Sequence, residues 1–336
     1  MELSDFQYDL PLELIAQKPL NKRDSSRLMV LERGNGGVSH RVFSDITQYL
    51  REGDCLVVND TRVIPVRLFG NRGSGGRVEI FLLDTTGSPY KALVKPSARI
   101  KEGEIVHLEG GGKATVLGRS STGRSVVFDR PIEAVLEKGH VPLPPYINRP
   151  DSGSDRNDYQ TVYAARNGAT ASPTAGLHFT DELLSRIRDM GVIMVSVTLH
   201  TSYGTFAPVK VNNIMDHVMH FEHYEIQEEA ADTINRSRKA GGRVFAVGTT
   251  STRVLETVAG DDGLVRASKG ETNLFIYPSY KFKITSSIIT NFHLPGSTLL
   301  MLVSAFAGRD FILGAYRSAV EKGYRFFSYG DAMLIL

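Results

Sequence analysis

Cysteine is nearly absent from this chain. Cys55 stands alone among 336 residues, so neither an intrachain disulfide nor a thiolate metal cluster can form. Long apolar runs are also missing. The longest, Leu299 to Ala307, contains Ser304 and reaches about half of the roughly 20 residues a membrane-spanning helix needs. The opening stretch, MELSDFQYDL, has early acidic residues where a signal or transit peptide would be basic and then apolar. Charge of one sign is not in excess either: the formal net charge is +2, too balanced for a protein that coats DNA. A local basic patch can still follow an RNA backbone. No repeat occurs at a solenoid period, and there is no Gly-Lys-Ser/Thr phosphate-loop core. These absences point to a cytoplasmic protein with no membrane segment.

What is present falls into three textures. The start mixes short signals: a strand over Arg27 to Leu31, a short helix over Phe43 to Leu50, and a strand over Leu56 to Val58. From Val63 to Asp129, six short apolar segments alternate with Gly- and Ser-rich turns, a pattern that predicts a small antiparallel barrel or sandwich. From about Tyr159 onward, helices and strands alternate. Thr180 caps a helix through Met190, Glu228 to Ala240 form a second, Ser251 or Thr252 starts a third, and Ser297 starts an apolar one through Ala307. The expected architecture is an α/β main domain built from both chain ends, residues 1–60 and 150–336. A six-stranded antiparallel β-barrel domain is inserted at 61–149.

Four loops have the address where α/β sheets bind ligands, at strand ends facing helix N-termini. They are Thr174-Ala175-Gly176-Leu177-His178-Phe179-Thr180, Leu199-His200-Thr201-Ser202-Tyr203-Gly204-Thr205-Phe206, Val247-Gly248-Thr249-Thr250-Ser251-Thr252-Arg253 and Thr290-Asn291-Phe292-His293-Leu294-Pro295-Gly296-Ser297. By residue type alone, each fits a tight connection or a plain helix cap about as well as a binding loop. His217, His220 and His223 are spaced wrongly for a shared metal, so none is expected. On a strand, His220 and Glu222 would share one face, with room for a substrate atom between them. Arg23 and Arg27, then Lys95 and Arg99, head two small basic clusters.

The same loops carry a family resemblance. In order along the chain stand Tyr8-Asp9-Leu10-Pro11, Arg23-Asp24-Ser25-Ser26-Arg27-Leu28, Asn59-Asp60-Thr61-Arg62-Val63-Ile64-Pro65, Leu143-Pro144-Pro145-Tyr146-Ile147, Tyr159-Gln160-Thr161-Val162-Tyr163-Ala164, the first two loops, Met219-His220, the other two loops, and Tyr324-Arg325-Phe326-Phe327-Ser328-Tyr329-Gly330-Asp331-Ala332-Met333. The chain thereby resembles the S-adenosylmethionine:tRNA ribosyltransferase-isomerase family of queuosine biosynthesis over essentially its whole length. The resemblance implies a two-domain protein with an inserted barrel. It also implies transfer of the ribosyl part of S-adenosylmethionine to 7-aminomethyl-7-deazaguanine at the tRNA wobble position. Rearrangement then gives epoxyqueuosine, with loss of adenine and methionine. S-adenosylmethionine would be a consumed co-substrate, with no separate cofactor, and a monomer is expected.

Residue type and place, not the resemblance, suggest the roles. His178, His220 with Glu222, and His293 would move protons. Thr174, Gly176, Tyr203, Gly204, Thr205, Thr249, Thr250, Arg253, Asn291, Tyr329 and Asp331 would bind substrate. Arg23, Arg27, Arg62, Lys95 and Arg99 would meet tRNA. The competing readings are an S-adenosylmethionine-dependent RNA methyltransferase, a non-catalytic RNA-binding protein and a histidine metallohydrolase.

Overall fold

A computed structural model of the chain describes residues 1–336 apart from 121, 203 and 205–208. The sequence-based candidates Tyr203 and Thr205 therefore lie outside the described residues.

Four strands precede the barrel: β1 (Arg27–Glu32), β2 (Gly37–Val42), β3 (Cys55–Asn59) and β4 (Thr61–Val63). Six form it: β5 (Arg67–Arg72), β6 (Arg77–Leu82), β7 (Tyr90–Lys95), β8 (Glu104–Leu108), β9 (Lys113–Ser120) and β10 (Gly123–Phe128). They close in the order β10-β7-β6-β5-β8-β9, every pair antiparallel, and closure leaves no open edge. Alternate residues such as Val78, Ile80 and Leu82 point inward and fill the barrel core. Helix α1 (Ile132–Glu137) packs on that core through Val135.

After α2 (Asp155–Asp158), the chain returns to the main sheet. The elements are β11 (Arg166–Ala169), α3 (Asp181–Asp189), β12 (Ile193–Leu199), β13 (Glu222–Ile226), α4 (Glu228–Lys239), β14 (Val244–Val247), α5 (Gly248–Val258), β15 (Ser268–Thr272), β16 (Ser287–Asn291), α6 (Thr298–Ala307), α7 (Arg309–Glu321) and β17 (Ala332–Ile335). Nine strands make one mixed sheet, β15-β13-β12-β3-β14-β16-β17-β1-β2. Its centre, β12-β3-β14-β16, is parallel throughout. A separate parallel pair joins β11 to β4.

Within that centre, Cys55–Val58 of β3 and all of β14 read as unbroken apolar runs because both sheet faces are covered there. Leu56 and Val58 of β3 face the layer that holds α3, while Cys55 and Val57 face the layer of α4 and α5. At the other end of the sheet, α6 and α7 cover Ile288, Met333 and Ile335. Among the described residues, no single helix is long and apolar enough to cross a membrane.

Two helix starts follow their sequence caps: Thr180 Oγ1 accepts from Leu183 N at 3.1 Å, and Ser297 Oγ accepts from Leu300 N at 3.2 Å. The third does not. Helix α5 starts at Gly248, three residues before Ser251, and the Ser251 and Thr252 hydroxyls bond back to the Val247 and Gly248 carbonyls from inside the helix. Gly248 makes this possible with φ +87°, a turn a side chain would strain.

Candidate functional site

The parallel strands end at Leu199, Val247 and Asn291, and the loops leaving them face one cavity of about 460 Å³. The turn before α3 supplies Ser172, Pro173 and Thr174; the β12 loop supplies Thr201. Helix α5 begins with Gly248, Thr249 and Thr250 on the wall, and Asn291 to Ser297 close another side. All four loops singled out in the sequence therefore meet. Tyr146, Phe327 and Ser328 add an aromatic and polar flank, and Leu3 and Gln7 reach in from the N-terminus. No lysine, arginine, aspartate or glutamate lines the cavity among the described residues.

His178 is buried below this wall and does not line it. Asn291 Nδ2 donates to the Phe327 carbonyl at 3.1 Å, which fixes the amide orientation, and also donates to His178 Nε2 at 3.0 Å. The other nitrogen, Nδ1, must then carry the proton and donate to Ser26 Oγ at 2.7 Å. Thr174 Oγ1 donates to Asn291 Oδ1 at 3.2 Å. Burial, with help from Arg325 and Arg23, pushes the His178 pKa down to about 3. His178 is thus a neutral clamp that orients Asn291, and both of its nitrogens are in use.

His293 does line the cavity. Its Nε2 pairs with Thr290 Oγ1 at 2.9 Å, its backbone N–H donates to the Tyr316 hydroxyl at 3.0 Å, and burial pushes its pKa down to about 3.

A second cavity of about 50 Å³ adjoins the first at Leu299. It gathers Gly204, His217, His220, Glu222 and Arg253. His220 and Glu222 therefore do come together, although β13 begins only at Glu222. Gly204 is needed because a Cβ there would overlap the His220 ring. Glu222 is not a free carboxylate. Arg253 pairs with it inside the protein, Ser202 N donates to its Oε1 at 3.1 Å, and Arg253 also donates to the Leu274 carbonyl at 3.1 Å. Arg253 braces α5 against β13 and the Leu274 segment and does not reach into the main cavity. His223 points elsewhere, 3.5 Å from Glu271.

Three more candidates lie off the cavity. Gly176 is packed so that a Cβ would overlap the Tyr163 hydroxyl; it lets the turn sit down on its neighbours. Tyr329 is buried and donates to Asp155 Oδ1 at 3.2 Å. Asp331 accepts from the backbone N–H groups of Arg27 and Arg325 at 2.9 and 2.8 Å, which ties the C-terminal strap to β1.

The basic candidates divide as well. Arg23 donates to the Gln160 and Asn157 carbonyls, and Arg27 is held by Asp331 and stacked 3.9 Å over the Tyr324 ring. Arg62 is exposed and donates to the Ala164 carbonyl. Lys95 and Arg99 stand exposed on the barrel. The residue-by-residue reading did not single out Ser172, Gln7, Tyr146 or Phe327. Only the Leu143–Ile147 and Tyr324–Met333 blocks of the resemblance touched this flank.

An α/β sheet whose parallel strand ends open on a neutral cavity, with a closed six-stranded barrel along the same chain, places this chain among the α/β proteins that bind small ligands at strand ends and helix starts. A family profile described as queuosine biosynthesis protein matches residues 3–335. A relative from Caldanaerobacter subterraneus subsp. tengcongensis is 53% identical over all of both chains, and one from Syntrophomonas wolfei is 52% identical over 99% of this chain and 97% of its own. Both are named S-adenosylmethionine:tRNA ribosyltransferase-isomerase. A crystal structure from Thermotoga maritima, titled S-adenosylmethionine tRNA ribosyltransferase, is 38% identical. It covers 99% of this chain and 100% of its own, with a TM-score of 0.58. The chain belongs to the queuosine biosynthesis protein family and is a transferase.

Proposed function

We propose that this chain transfers the ribosyl moiety of S-adenosylmethionine to 7-aminomethyl-7-deazaguanine at the tRNA wobble position and isomerises it. The products would be epoxyqueuosine-tRNA, adenine and methionine. The carrying observation is the convergence of the four junctions on one cavity of about 460 Å³, a size typical of small-molecule sites of roughly 300–1,000 Å³. S-adenosylmethionine is consumed there as a co-substrate, and the protein works as a cytoplasmic monomer.

The chemistry needs a proton removed beside the sulfonium and a proton delivered to departing adenine. His293 is the histidine on the wall of this cavity among the described residues, and the proton transfers are assigned to it on that placement; burial alone leaves it a weak base, so the role requires the bound substrate to alter its surroundings. His220 is a second proton carrier at the adjoining pocket, beside the Glu222–Arg253 pair. Thr174 Oγ1 and Asn291 Oδ1, the latter held in place by His178, keep acceptor lone pairs for donors of the nucleoside. Exposed Lys95 and Arg99 on the barrel, with Arg62, contribute to the tRNA contact.

The test is incubation with S-adenosylmethionine and tRNA carrying the aminomethyl precursor. Release of free adenine supports the reading. Accumulation of S-adenosylhomocysteine would show methyl transfer instead.

A further inference from the structure

The amino-acid end of S-adenosylmethionine carries a carboxylate, and the cavity offers it no cationic side chain. Arg253, the residue whose type suits it, is committed to Glu222 and to the Leu274 carbonyl. The loop residues outside the description, Tyr203 and 205–208, bring no charge either. An anion in this cavity must therefore be met by neutral donors.

One wall supplies them. Helix α5 runs for 11 residues, so its first-turn N–H groups have no intrahelical acceptors and carry the positive end of the helix dipole. Val247 at the N-cap makes no side-chain bond to them. Gly248, Thr249 and Thr250 open directly on the cavity. An independent observation points to the same place. Ser172 lines the same cavity, is 7% exposed, and its hydroxyl is buried without a hydrogen-bond partner. The Thr250 hydroxyl is likewise buried and unpartnered. Buried hydroxyls are ordinarily bonded, so two orphans beside an uncapped helix start describe a site built for a ligand with acceptor atoms.

We infer that the α5 N-terminus, with Ser172 and Thr250, binds the α-carboxylate of S-adenosylmethionine; this rests on the function proposed above. A tRNA phosphate is the other source of such an anion. A polyanionic backbone is met by lysine and arginine, and none lines this cavity among the described residues, whereas a single carboxylate matches a helix start with two hydroxyls. The placement directs the sulfonium and ribose away from α5, toward the Asn291–His293 wall.

Calorimetric titration of the full chain with S-adenosylmethionine and with its decarboxylated analogue tests the inference. The analogue is expected to bind about tenfold more weakly or worse. Ser172→Ala and Thr250→Val should each weaken S-adenosylmethionine several-fold, by about the worth of one or two charge-assisted bonds, and leave the analogue within about twofold. Equal affinity of the unaltered protein for the two ligands would overturn the carboxylate site while leaving the proposed function standing, and would favour a phosphate there. Equal weakening of both ligands in the variants would overturn it too. Failure of the unaltered protein to bind either ligand, with or without tRNA, would overturn the function reading along with it.

Discussion

His178→Ala separates a clamp from a base. The substitution deletes a buried ring stacked 4.9 Å from Phe43 and removes the bonds to Ser26 and Asn291. Truncating a buried aromatic costs about 3 kcal/mol or more. One Asn291 N–H then loses its acceptor inside the protein, a further cost of about 1–3 kcal/mol. The variant should lose roughly 4–6 kcal/mol of stability in denaturant titrations. His178→Gln can still present an acceptor to Asn291, so it should lose only about half as much. The kinetic signature differs from that of a lost base. A group whose burial holds its pKa near 3 does not titrate across the working range, so kcat should fall in both variants while the pH profile keeps its shape. A pH–rate profile in which His178→Gln loses its acidic limb would refute the clamp and restore His178 as a proton carrier.

Acid should destabilise the fold early. His178 and His293 both have folded pKa values near 3 against an ordinary 6.5, so the unfolded chain binds protons first as the pH drops. Their contribution is complete above pH 6.5 and is lost on the way down toward pH 3. The slope for each group rises from half of its limiting value of about 1.4 kcal/mol per pH unit at pH 6.5, so the pair costs about 3 kcal/mol between pH 6.5 and 5; chemical denaturation at the two pH values measures it. Glu222→Gln leaves Arg253 buried without its counter-charge and should cost about 3–5 kcal/mol, read as a lower denaturation midpoint. Gly176→Ala drives a methyl into the Tyr163 hydroxyl and should cost about 1–3 kcal/mol in the same assay. Lys95→Ala and Arg99→Ala should each reduce the salt dependence of tRNA affinity by about one ion without changing stability. Arg27→Ala, which breaks the Asp331 and Tyr324 contacts, should do the opposite.

Local signals in the sequence were good where one short segment decides the outcome. Thr180 and Ser297 cap helices because a hydroxyl beside free N–H groups is a purely local device. The barrel segments were visible because turns and alternation repeat at short range. The start of α5 departs from the Ser251 or Thr252 expectation because Gly248, at φ +87°, turns the chain into the helix after Val247, and the two hydroxyls bond back within it. The meeting of four loops was legible from strand–helix order. What each polar residue does once there was not, because partners lie far apart in the chain. Glu222 and Arg253 are 31 residues apart, and Asn291 and His178 are 113. A histidine clamped between Ser26 and Asn291 looks in sequence like a histidine ready for catalysis. Tyr329 and Asp331 were legible as important but not as braces. Thr285 donates its hydroxyl to Glu256 at 2.7 Å, a contact no linear pattern announces.

The central claim is that the neutral cavity at the strand ends holds an activated sulfonium nucleoside beside a tRNA base. The direct measurement is single-turnover reaction of the protein with S-adenosylmethionine and precursor tRNA, with quantification of the modified nucleoside and of both small products. The account predicts one epoxyqueuosine, one adenine and one methionine per tRNA, and that the Thr250→Val variant slows all three together. Unmodified tRNA with no adenine released, or methylated tRNA with no adenine released, would contradict it; an unchanged rate in that variant would count against the carboxylate site alone.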